Sequence, residues 1–290
     1  MRALISTIAI AATTGSAWAS ESVVTVPTPG GDMVATLMLP DGDPAPVVLL
    51  LHGFTGARDE LATEHVPEGV FARTAAQLAE AGYASLRVDF RGSGESTDEL
   101  DFADTTFEGQ VADGLAALDY LDALETVAGE DVFVIGWSQG GLVAGAVAGR
   151  SGKPDAVALW NAVADPVATY GSLLGADVIA AGAEGPEDEV HSLALPWGAE
   201  IELKGAFFDQ VMSFDPDAEI MGYTGPLLVV QGANDTTVLP TSADLWLAGH
   251  GGDGELWTAE MDHVFNVFGE AETLTRMIEA TIEFFERNAD

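Results

Sequence analysis

From residue 47 onward, short apolar runs alternate with longer stretches of helical periodicity. Residues 47–51 (VVLLL) form a continuous apolar run, as expected of a strand buried on both faces. Residues 70–81 read as a helix ended by Gly82. Residues 84–88 are the next strand. Residues 107–124 place Val111, Leu115, Leu118 and Leu121 on one face of a helix. A strand at 132–135 runs into a helix whose body is 142–150. Strands at 156–160, 227–231 and 255–261 and a helix over 270–287 complete the series. Upstream, residues 23–26 and 33–39 alternate like a hairpin, turned at Pro29-Gly30-Gly31-Asp32. This alternation predicts the α/β class: a mostly parallel central sheet with helices on both faces.

Between Asn161 and Tyr223 the rhythm breaks. The stretch has short apolar pieces, scattered aromatics and prolines at 166, 186, 196 and 216. Connections of that length carry function or structure of their own. The expected organisation is a core of residues 20–161 and 223–290, with residues 162–222 inserted as a lid or cap.

The candidate chemistry sits at the end of the fifth apolar run. Gly136-Trp137-Ser138-Gln139-Gly140-Gly141 follows residues 132–135 directly. G-x-S-x-G between a strand and a helix is the pattern of a nucleophile elbow, a sharp turn that lifts a serine hydroxyl clear of the sheet. A serine hydroxyl needs a base, and the base needs an orienting carboxylate. Of the five histidines, His263 lies just past the strand at 255–261, at the carboxyl edge of the sheet, where ligands bind in such folds. Asp235 follows residues 227–231 at the same edge. Asp262 is the rival acid, but adjacent side chains diverge, which favours Asp235. His65 and His250 are expected at the surface, and His191 in the lid. The oxyanion of a tetrahedral intermediate would be met by the backbone N–H of Gln139, at the positive end of the elbow helix. A second donor would come from the loop after residues 47–51, where Phe54 N–H is the candidate. His52 then packs or hydrogen-bonds beneath that loop.

These pieces resemble an α/β-hydrolase in motif and order across residues 23 to 287. The matching segments are His52-Gly53-Phe54, Asp89-Phe90-Arg91-Gly92-Ser93-Gly94-Glu95-Ser96, the elbow, Gly232-Ala233-Asn234-Asp235-Thr236-Thr237-Val238-Leu239-Pro240 and Asp262-His263-Val264-Phe265. Within that superfamily, His52-Gly53-Phe54-Thr55-Gly56, Gln139 after the serine and Gly205-Ala206-Phe207-Phe208 resemble bacterial cinnamoyl and feruloyl esterases. Trp137 stands where histidine is commoner. The resemblance implies a serine carboxylesterase that hydrolyses aromatic or short-acyl esters through an acyl-enzyme, with no metal and no organic cofactor. Trp160, Trp197, Phe207, Phe208 and Phe265 are the expected substrate-pocket walls. A serine peptidase of the same fold would share the same three residues, and a non-catalytic binding module would share the scaffold.

Composition narrows the partners. The chain of 290 residues carries 10 basic and 47 acidic residues, a net charge of −37, and Lys153 and Lys204 are its only lysines. Nucleic acid and anionic membrane surfaces would repel it, which leaves a small-molecule ester as the expected partner. With 48% apolar residues the acidity does not signal disorder. It suits a saline habitat, where salt screens self-repulsion. Met1-Arg2, an apolar stretch from Leu4 to Ala12 and Ala17-Trp18-Ala19 have the order of a signal peptide cleaved near Ala19, so a periplasmic or secreted location is expected. There is no cysteine, so packing alone must hold the fold.

Overall fold

A computed structural model describes residues 20–41 and 44–289. The signal peptide expected over residues 1–19 lies outside them. The chain opens with a hairpin of β1 (Ser20–Thr28) and β2 (Gly31–Leu39), turned at Pro29-Gly30 rather than over four residues. β3 (Ala45–Leu51), α1 (Val70–Glu80), β4 (Ala84–Val88), α2 (Phe107–Asp122), β5 (Val127–Trp137), α3 (Gln139–Ser151) and β6 (Ala156–Trp160) follow in strict alternation. After an excursion the chain returns through β9 (Leu227–Gly232), α8 (Thr241–Gly249), β10 (Gly254–Ala259) and α9 (Glu272–Arg287). The eight-stranded sheet has the order β1-β2-β4-β3-β5-β6-β9-β10. Its strands run parallel from β4 to β10, and β2 pairs antiparallel with both β1 and β4.

The continuous apolar runs are explained by two cores, one on each face. In β3, Val47, Leu49 and Leu51 pack with α2 and α3, while Val48 and Leu50 pack with α1 and α9. β5 splits likewise, with Val132 and Val134 on one side and Phe133, Ile135 and Trp137 on the other. Period-two side-chain alternation then puts apolar residues at every position. α9 shows the complementary pattern: Leu274, Met277, Ile278, Thr281, Phe284 and Phe285 form one buried stripe at i, i+3, i+4 spacing.

The excursion is folded. It contains α4 (Pro166–Tyr170), a π-helical turn at Gly171–Gly175, α5 (Ala176–Glu184), a separate hairpin of β7 (Val190–Ala194) and β8 (Glu200–Lys204), α6 (Gly205–Ser213) and α7 (Pro216–Ile220). Two of the prolines that mark its break in rhythm begin helices. Asp165 and Asp215 cap α4 and α7 by accepting from the N–H groups of Ala168 and Ala218, and Pro166 and Pro216 take the first helical position.

Scarce cations are shared between elements. Arg58 pairs with Asp89 and Glu95, Arg87 with Glu21 and Asp59, Arg150 with Glu108 and Glu219, and Lys153 with Asp119 and Asp122. Among the described residues no helix is long and apolar enough to cross a membrane.

Candidate active site

Ser138 stands between β5 and α3 with φ +57 and ψ −117, a region that L-residues avoid. Such a conformation costs about 1–3 kcal/mol and persists only where its surroundings over-determine it. Here Ser138 N–H donates to Trp160 O at 2.9 Å, and Ser138 O accepts from the N–H groups of Gly141 and Val163, both at 3.1 Å. The glycines make this turn sterically possible. A Cβ on Gly136 would overlap the Gly140 carbonyl, and one on Gly140 would overlap the carbonyl oxygens of Leu51 and His52.

The loops after β9 and β10 bring two further residues to Ser138. His263 Nε2 lies 3.0 Å from Ser138 Oγ, and His263 Nδ1 lies 2.8 Å from Asp235 Oδ2. Asp235 is buried, and its Oδ1 accepts from the N–H groups of Thr237 at 2.8 Å and Val238 at 2.9 Å. Those bonds fix the carboxylate and leave Oδ2 for the imidazole. Asp262 is engaged elsewhere, since its Oδ1 caps the turn at Val264 and Asn266. With Nδ1–H donating to Asp235, Nε2 is left to accept the Ser138 proton.

Two positions missed by motif reading hold His263 in place. Asn161, at φ +42, donates from Nδ2 to His263 O at 3.0 Å and Asp262 O at 3.2 Å, and its Oδ1 accepts from Gly232 N–H at 2.7 Å. It thereby ties the ends of β6 and β9 to the histidine loop. Trp137 Nε1 donates to His263 O at 3.2 Å, and its ring lies 5.8 Å from the imidazole. Trp137 lies inside the elbow motif and Asn161 directly follows the end of β6, and that position at the sheet edge is the one signal that could have found their roles.

The loop after β3 approaches Ser138 from the other side. Gly53 N–H donates to the Glu60 carboxyl and so is already engaged within the loop, and Phe54, the next residue, lines the cleft beside Ser138. Gln139 is the first residue of α3, where N–H groups have no intrahelical partner. Its side chain is fixed away from the cleft: Nε2 donates to Gln110 at 2.7 Å, and Oε1 accepts from the Tyr170 hydroxyl. His52 lies beneath the loop, with Nδ1 2.8 Å from Gly53 O and Nε2 accepting from Phe90 N–H at 3.2 Å. Burial lowers its pKa to about 4, so it is neutral.

Above Ser138 opens a cavity of about 890 Å³, bounded by the Gly53–Leu61 loop, Trp137, His263 and the excursion residues Leu173 and Trp197. Of the five expected pocket walls, only Trp197 lines it. Trp160 points to the opposite core face, donating to Thr281 Oγ1 at 3.1 Å, and Phe265 packs beside it at 5.9 Å. Phe207 and Phe208 are wholly buried, Phe207 stacking on Phe54 at 5.6 Å. These four are core residues because their rings fill the spaces between layers. Phe268 lines the cavity in their place, and as an exposed ring past the histidine loop it carried no periodic signal. His65 is exposed, but His250 is buried against Tyr223 at 5.6 Å. His191 packs on Phe208 at 5.0 Å and does not line the cavity.

The alpha/beta hydrolase fold family model matches residues 46–167. No curated protein matches the chain in sequence. Among solved structures, Est1E from Butyrivibrio proteoclasticus with ferulic acid bound is 24% identical with a TM-score of 0.74, over 91% of this chain and 98% of that one. The esterase domain of a Rhodothermus marinus protein is also 24% identical, with a TM-score of 0.65 over 92% and 98%. The Pyrococcus horikoshii acylaminoacyl peptidase is 15% identical with a TM-score of 0.69, and the match covers 94% of this chain but 42% of that one. Sheet order, elbow and overall likeness agree: this chain has the α/β-hydrolase fold.

Proposed function

We propose that the protein is a serine carboxylesterase working through an acyl-enzyme. The observation that carries the proposal is the unbroken hydrogen-bond chain from Ser138 Oγ through His263 to Asp235. His263 Nε2 takes the Ser138 proton as Oγ attacks the ester carbonyl, and Asp235 stabilises the imidazolium. The N–H groups of Phe54 and Gln139 receive the oxyanion. The alcohol leaves with the proton from His263. Water, deprotonated by the same imidazole, then releases the acid and restores Ser138.

An aromatic or short acyl group is the proposed substrate portion. Leu173, Trp197 and Phe268 on the cavity wall support it, as does likeness to a ferulic-acid-bound structure. The proposed location is periplasmic or secreted, on the leader-like composition of residues 1–19, with the 162–222 excursion acting as a lid. The likeness to an acylaminoacyl peptidase keeps a peptidase as the second reading, and turnover of aryl esters against aminoacyl anilides separates the two. The Ser138→Ala variant is expected to lose nearly all hydrolysis of p-nitrophenyl butyrate and all labelling by a fluorophosphonate probe. Substantial residual turnover would overturn the assignment. Absent labelling of the wild type would favour a binding module.

A further inference from the structure

Glu60 is a titratable cleft residue with no part in the mechanism above. It closes the loop that begins at Gly53, with φ +54 and its N–H donating to Ala57 O at 2.9 Å. Its carboxyl accepts from Gly53 N–H, and lies so close over Gly56 that a Cβ there would overlap both oxygens. Gly56 N–H in turn donates to Gly53 O at 3.1 Å, so the loop wraps its own carboxyl group. A Cβ on Gly53 would stand 3.4 Å from Ser138 Cβ and 3.6 Å from Glu60 Oε1. One glycine therefore separates this carboxyl from the nucleophile.

The charges around Glu60 do not favour a second anion. Asp89, at the end of β4, faces it with a carboxylate. Arg58, on the same loop, is bound by Asp89 and Glu95. The neighbouring Asp59 is paired with Arg87, and across the cleft stand His263 and Asp262. Removal from water pushes the Glu60 carboxyl up to about 8; the N–H groups of Gly53 and Leu61 oppose the rise and Asp89 adds to it. Below that pH Glu60 is the neutral acid, and above it an anion on the wall of the cleft.

We propose that Glu60 is a positioning residue that works in its neutral form, clamping Gly53 so that Phe54 N–H faces the oxyanion, and that its ionisation switches hydrolysis down. As the neutral acid its carbonyl oxygen accepts the Gly53 N–H without placing charge near the developing oxyanion. As an anion it puts a full negative charge beside that oxyanion, in a site where charges are weakly screened. The proposal rests on the serine-esterase reading, because it concerns the oxyanion donor of that reaction.

The test is the pH profile of kcat for p-nitrophenyl butyrate in wild type, Glu60→Gln and Glu60→Ala. Wild-type kcat is expected to fall through an alkaline limb centred at about 8, losing more than about 10-fold between pH 7.5 and 9.5. Glu60→Gln keeps an acceptor for Gly53 N–H and is expected to lose that limb while keeping the acid limb. Glu60→Ala removes the clamp and is expected to lower kcat at every pH, with a smaller change in KM. A merely structural role would not separate the Gln and Ala variants in this way. Persistence of the alkaline limb in Glu60→Gln, or its absence from wild type, would overturn the proposal. Carbon-13 NMR of glutamate-labelled wild type needs no variant: one carboxyl titrating near 8 is expected, and its absence would also overturn it. If Ser138→Ala retains turnover, the esterase reading itself fails. If Ser138→Ala is inactive and Glu60→Gln keeps the limb, only the role of Glu60 fails.

Discussion

Protonation of His52 is a perturbation whose cost can be worked from its contacts. The neutral ring donates from Nδ1 to Gly53 O and accepts Phe90 N–H at Nε2, bridging the loops after β3 and β4. A proton on Nε2 would face that N–H and remove its acceptor. Burial lowers the pKa from 6.5 to about 4, while the Gly53 carbonyl and Asp89 pull it up. The group is depressed in the folded state, so its contribution is fully present above the unfolded value and is lost as pH falls toward about 4. At 1.36 kcal/mol per unit, the limiting loss is about 3 kcal/mol, of which about 2 kcal/mol falls between pH 8 and 5. Urea unfolding of wild type and His52→Gln at those two pH values measures it. Wild type is expected to lose about 2 kcal/mol more than the variant on acidification. Carboxylates elsewhere titrate in both proteins and cancel in the comparison. Equal losses would refute the reasoning.

Three further outcomes follow from packing, backbone conformation and charge. Gly140→Ala would drive a methyl into the carbonyls of Leu51 and His52, at backbone that cannot give way; chemical denaturation is expected to show a loss above about 2 kcal/mol. Gly152→Ala, at φ +61 with open space around it, should lose only about 1 kcal/mol for the left-handed backbone. With a net charge of −37, the melting temperature is expected to rise between about 0.1 M and 1 M NaCl, as the Debye length shrinks from about 10 Å to 3 Å. A melting temperature unmoved or lowered by salt would count against charge self-repulsion as a destabilising force.

The pattern of the sequence placed the sheet well because β3 and β6 are apolar throughout and β4 carries only Ser85 and Arg87 among apolar residues. β4 and β6 begin and end where their runs do, at Ala84–Val88 and Ala156–Trp160. Ser138, Asp235 and His263 were legible as candidates because each follows a strand at the same sheet edge, and the structure brings them within hydrogen-bond reach. The face on which an aromatic sits was not legible. In a strand buried on both sides, parity does not say which side opens to the cleft, so Trp160 reads as a pocket wall although it faces α9. The excursion hid α4 and α7 because they span five residues each, too short for periodicity. Glu60 left no signal, since a carboxylate in a loop ordinarily faces water. Its contacts with Gly53 and Gly56 exist only once the loop has closed.

The doubly paired cations give this chain a lopsided tolerance to substitution. Removing Glu108 or Glu219 still leaves Arg150 with a partner, and the same holds for either acid on Arg58, Arg87 or Lys153. Removing one cation strands two carboxylates at once, in a protein with few other positive charges to receive them. Random exchange of acids should therefore pass largely unnoticed, while the rare basic positions behave as keystones. For anyone redesigning this surface, those few arginines and one lysine are the residues to leave alone.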